Sequence, residues 1–82
     1  MSDLSCGIGD IIRQRRIARG LTQEGLADAC GIHRTYVSIL ERGLKSPTVD
    51  VLCDVAVALG VTGSQILAGA EESRLRGAGK HR

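Results

Sequence analysis

The 82 residues carry a formal net charge of +2, 43% hydrophobic residues and only 1% aromatics, with Tyr36 the single aromatic side chain. A chain this short makes one domain whose core is marginal without a partner, and that core must come from Leu, Ile, Val and Ala, as in an all-α bundle. Few runs alternate apolar and polar residues, which argues against a sheet, and no apolar run approaches the roughly 20 residues of a membrane span. With no signal peptide visible, a cytoplasmic location is expected.

Residues 1–7 read as a flexible leader. A first helix is predicted from Ile8 to Arg19, with Ile8, Ile12 and Arg16 on one stripe, Ile11 beside it, and Gly20 as its stop. A second starts at Thr22, a good N-cap, with Glu24 in the first turn where the helix dipole favours an acid. Gly25 stands where a capping-box glutamate is expected. A third runs from Arg34 to Arg42, with His33 at the N-cap and Gly43 at the stop. Leu44 to Pro47 form a loop. A fourth begins near Thr48, carries Val51, Leu52, Val55, Ala56 and Leu59 on one face, and stops at Gly60. A fifth starts at Thr62, where Gln65 completes a T-x-x-Q capping box. Residues 69–82 turn to glycine and charge and are expected to be disordered, which leaves 8–68 as the domain.

Between the second and third helices, Leu26, Ala27, Cys30, Ile32, Val37 and Leu40 are small or apolar where two steeply crossing helices must touch. Gly31 sits at the turn, where a positive φ costs glycine least. Such a pair forms a helix-turn-helix, whose second helix can enter the DNA major groove. The charge distribution agrees. Residues 1–68 hold seven basic and seven acidic side chains, yet Arg13, Arg15, Arg16 and Arg19 crowd one helix, and Arg34, Arg42 and Lys45 surround the third. Attraction to phosphates is local, so a neutral domain with one basic face can bind DNA.

Cys6, Cys30 and Cys53 have no CxxC spacing, and only His33 and His81 could join them, so no metal site and no cofactor are expected. Cys30 and Cys53 fall at apolar helical positions and read as reduced core thiols. No pairing of nucleophile with base is evident, so an enzyme is not expected.

The segments IGDIIRQRR, GLTQEGLADACGI, RTYVSILERG and SPTVDVLCDVAVALGV, in this order, resemble the phage repressor and Cro type of helix-turn-helix domain, the XRE family, over residues 8–68. The RTYVS-x-LERG run also resembles the controller proteins of restriction–modification systems. The resemblance implies a five-helix, repressor-like DNA-binding domain with its motif at helices 2 and 3. By that likeness Gln23 braces a phosphate and the start of the third helix, and Thr22 beside it touches the backbone. Arg34 and Thr35 match positions that read base edges, and arginine can offer two parallel donors to guanine O6 and N7. Ser38 and Ile39 lie one turn further on. Ile39 occupies a reader position that is unusual for isoleucine, and either packs on thymine methyls or belongs to the core. His33 either reaches a phosphate or caps its helix. Tyr36 either bonds a phosphate or lays its ring along the core edge. Arg42 and Lys45 are phosphate or groove contacts. Arg16 and Glu41 are expected to pair as a partly buried salt bridge between the first and third helices. The resemblance also implies a homodimer, with Val61, Ile66 and Leu67 at its interface or in plain core packing.

The expected function is therefore a transcriptional regulator that binds a two-fold symmetric site on double-stranded DNA as a homodimer. In this length, regulation would work through concentration, operator affinity and contact with RNA polymerase. An antitoxin or other protein-interaction module on the same fold is the competing expectation.

Overall fold

The computed structural model describes residues 3–80, with side chains over 4–75. Its elements are α1 (Asp3–Ala18), α2 (Gln23–Cys30), α3 (Arg34–Glu41), α4 (Val49–Leu59) and α5 (Gly63–Lys80), with no strand among the described residues. The all-α, five-helix expectation holds.

Local chemistry explains where these helices begin. Thr22 accepts the Gly25 N–H at 2.9 Å and Thr48 accepts the Val51 N–H at 3.2 Å, which satisfies amides left open in the first turn. At α5 the Thr62 hydroxyl takes the Gln65 N–H at 3.1 Å while the Gln65 side chain takes the Thr62 N–H at 2.9 Å, the reciprocal capping box expected there. His33 does nothing comparable for α3: its backbone is extended but its side chain makes no capping bond. The capping alternative for His33 is therefore set aside.

One arrangement closes the first four helices. Behind α2, Gly31 is left-handed (φ 70°), its N–H reaches the Asp28 carbonyl at 3.3 Å, and the Ile32 N–H reaches Ala27 at 3.0 Å. This nested pair is the Schellman motif, in which the residue after the glycine returns an apolar side chain to the helix it closes. The pattern repeats after α1 through Gly20 and Leu21, after α3 through Gly43 and Leu44, and after α4 through Gly60 and Val61. Leu21, Ile32 and Val61 pack against the core as the motif requires, whereas Leu44 is left 63% exposed.

Ile8, Ile12, Leu26, Ala27, Val37, Leu52, Val55, Ala56, Leu59, Ile66 and Ala70 form one core drawn from all five helices. Burying each large aliphatic side chain there is worth about 1.5–3 kcal/mol. α1 packs most extensively on α5, and α3 is held between α1 and α2.

Both chain ends differ from expectation. α1 begins at Asp3, so Leu4 to Gly7 are helical, and Leu4 packs against the core. Gly7, at the end of the expected leader, has a low helix propensity. Tertiary contact overrides it: a Cβ on Gly7 would lie 3.1 Å from the Ala70 carbonyl oxygen of α5. α5 likewise runs to Lys80 through the glycine-rich segment, anchored by Ala70, which is fully buried. His81 and Arg82, the last residues of the segment expected to be disordered, lie outside the described residues.

The tightest approach is at Gly9. A Cβ there would overlap the Leu40 carbonyl oxygen and lie 2.8 Å from that of Glu41. These are backbone atoms that cannot swing aside, so Gly9→Ala must push α1 off the end of α3. We expect it to destabilise the domain by about 1–3 kcal/mol, read as a lower urea midpoint at unchanged slope. An unchanged midpoint would mean that the helices are not this close.

Candidate nucleic-acid interface

α3 has two faces. Val37, Leu40 and Glu41 are buried, while His33, Arg34, Thr35 and Arg42 are exposed and Tyr36, Ser38 and Ile39 are half-buried. The outer face thus brings together the four residues expected to read bases, with Arg34 and Thr35 fully presented on the first turn. Ile39 is half-buried, between its two alternatives. Tyr36 is in the same position. Lys45 is exposed in the loop that follows, and Thr22 is exposed at the start of α2.

What orients this face lies behind it. Arg16 of α1 and Glu41 at the end of α3 form a two-point ion pair, Nε to Oε2 at 2.6 Å and NH2 to Oε1 at 3.0 Å. Their side chains are 12% and 3% exposed, so the pair is held largely out of water. The third nitrogen of the guanidinium, NH1, donates to the Leu21 carbonyl at 2.8 Å, just ahead of α2. Hydrogen bonding to Glu41 raises the Arg16 pKa, burial opposes it, and the carboxylate's charge adds to the rise. Arg16 is therefore a cation at every pH at which the domain works.

Gln23 departs from expectation. Its side-chain amide donates to Glu41 Oε1 at 3.1 Å, so it braces the end of α3 rather than the start. Sequence spacing carries no signal for this contact, since the two residues are 18 positions apart. Arg19, one of the basic cluster on α1, reaches the Leu59 carbonyl at the end of α4 over a long 3.5 Å. Such a cation suits the negative end of a helix dipole.

Burial decides between the alternatives for Ile66 and corrects the reading of Cys30 and Cys53 as core thiols. Ile66 is fully buried within the single chain, so it is a core residue and offers no surface to a second copy. Val61 and Leu67 are half-buried. Cys53 is exposed rather than a core thiol, because it falls beside Leu52 on the outer edge of α4, and Cys30 is only half-buried. Burial, and then the charge of Asp54, push the Cys30 thiol's pKa up, which lowers its thiolate fraction. Iodoacetamide at mildly alkaline pH is therefore expected to alkylate Cys53 well before Cys30, and equal rates by peptide mass spectrometry would contradict these placements.

Among the described residues, no three His, Cys, Asp or Glu side chains converge to hold a metal ion. Among the described residues, too, no single helix is long and apolar enough to cross a membrane.

Two short helices joined at a left-handed glycine, with the second presenting arginine and threonine outward, define a helix-turn-helix DNA-binding domain. A family model described as helix-turn-helix (HTH_3) matches residues 12–66, and the chain belongs to this family, the XRE type. It is 38% identical over 60 residues to the control protein C.BamHI of Bacillus amyloliquefaciens, covering 72% of this chain and 74% of that protein. The fold is similar to the crystal structure of the clp gene regulator ClgR from Corynebacterium glutamicum, with TM-score 0.88, 32% identity, and 94% and 82% of the two chains covered. It is also similar to the restriction–modification controller protein C.AhdI from Aeromonas hydrophila, with TM-score 0.73, 32% identity and coverage of 76% and 94%. The chain is a DNA-binding transcriptional regulator and not an enzyme.

Proposed function

We propose that this regulator binds a two-fold symmetric operator as a homodimer, with α3 of each copy in the major groove. One observation carries the reading: Arg34 and Thr35 are exposed on the first turn of a helix whose last turn is locked by a buried ion pair. Arg34 reads guanine through paired donors, and Thr35 offers a hydroxyl and a methyl to the neighbouring base. Ser38 and the exposed part of Ile39 extend the readout by one turn. Thr22, His33, Tyr36, Arg42 and Lys45 border this face and contact phosphates, which set register without reading sequence. Gln23 belongs to the same border.

One domain reads too few base pairs to find a site, and two copies reading half-sites about one helical turn apart solve this. Val61 and Leu67 supply the interface, supported by Val57 and Leu75, which stand 78% and 73% exposed on α4 and α5. Dimerisation would remove this apolar surface from water. RNA polymerase bound beside the operator is the further partner in this reading.

Selection from random duplexes at near-physiological salt, followed by sequencing, tests the proposal. A two-fold symmetric site with guanine in each half is expected. Weak, salt-sensitive binding with no enriched sequence would overturn it and favour a protein-interaction module.

A further inference from the structure

We propose that Ser5 is a positioning residue for the loop that carries Lys45, so that the first turns of α1 set where the domain grips the DNA backbone. The inference rests on Lys45 being a phosphate contact.

The loop after α3 lacks the apolar anchor that its counterparts have. After α1, α2 and α4 the residue beyond the left-handed glycine, Leu21, Ile32 or Val61, packs back on the core and fixes the chain as it leaves the helix. After α3 that residue is Leu44, and it stands exposed. Two contacts from α1 take its place. Gly43 sits directly on α1, where a Cβ would lie 2.9 Å from both Cα and Sγ of Cys6. Its left-handed φ of 72° and this close approach each call for glycine. Further along, the hydroxyl of the exposed Ser46 shares a hydrogen bond of 2.5 Å with that of the half-buried Ser5. Only Leu44 and Lys45 lie between the two contacts, so Lys45 is carried on a span pinned at both ends. The pins are consecutive residues of one helix, and that helix is itself tied to the end of α3 through Gly9 and Arg16. Lys45 is thereby fixed relative to the reading helix. A lysine on a free loop would be ordered only on binding, at a cost in affinity.

The full chain, Ser5→Ala, Lys45→Ala and the double variant are titrated against a preferred duplex and a scrambled one over a range of salt. Loop order in the free proteins is followed by NMR relaxation of the backbone amides. Ser5→Ala is expected to melt within about 4 °C of the wild type, since it changes one hydrogen bond at the surface. It should nonetheless raise fast motion at Leu44 and Lys45 and lose about threefold in affinity on both duplexes alike. Lys45→Ala should weaken both duplexes and make the salt slope shallower by about one. In that background Ser5→Ala should bring no further loss, because the side chain it positions is gone. A loss that persists undiminished without Lys45 would make Ser5 an independent contact and overturn the proposal, and so would unchanged affinity or an unchanged loop in Ser5→Ala. If Ser5→Ala loosens the loop but Lys45→Ala binds as the wild type does, the phosphate assignment of Lys45 is what fails, and the proposal falls with it.

Discussion

A Glu41→Ala variant is expected to lose about 3–5 kcal/mol of folding stability, because it strands the Arg16 guanidinium in a site largely closed to water. For a domain of this size total stability is of order 4–12 kcal/mol, so the loss is a large share of the whole. It should appear as a melting temperature lower by at least about 12 °C. Three donors lose their acceptor together: Arg16 Nε, Arg16 NH2 and Gln23 Nε2. Glu41→Gln should cost less, since an amide oxygen can still accept while the charge goes unpaired. The double variant Arg16→Met with Glu41→Leu should recover much of the loss, because removing both charges ends the desolvation penalty that removing one exposes. A double-mutant cycle then isolates the coupling between the two side chains. A single variant that melts within a few degrees of the wild type would mean the pair is solvated and does not hold the helices.

Arg34→Ala should act on DNA recognition and leave the fold alone, as its side chain is exposed. At the guanine it reads, discrimination against other bases should fall by about 1–3 kcal/mol, while affinity for unrelated duplexes changes little. Competition titrations with single-base variants of the operator give both quantities. A loss shared equally by all sequences, with a salt slope shallower by about one, would make Arg34 a phosphate clamp and leave the base reading to Thr35 and its neighbours.

The contrast between these variants follows from where each residue sits. Arg34 and Glu41 lie on the same two-turn helix, yet one faces solvent and the other faces α1 and α2. Their spacing does not distinguish them, because seven positions along a helix bring residues 34 and 41 to nearly the same face, and Arg34 is exposed because it lies in the first, least enclosed turn. The same periodicity mislabels residues at the margins. Ile66 and Leu67 are adjacent apolar residues in the first turns of α5, and nothing in their order says that Ile66 is enclosed and Leu67 only half so. Cys53 follows the core residue Leu52 and falls outside the packed stripe.

The sequence by itself determined the local elements of this protein. Thr22, Thr48 and Thr62 mark helix starts, and Gly20, Gly31, Gly43 and Gly60 mark helix ends. Each of these depends on neighbours within a few residues, so the chain order contains the whole cause. Only the tertiary structure decided the rest. The helical state of Leu4 to Gly7 depends on Ala70, the need for glycine at position 9 depends on the carbonyls of Leu40 and Glu41, and the role of Gln23 depends on a carboxylate that Arg16 already holds. These contacts join residues far apart in the chain, where packing and desolvation outweigh local propensity.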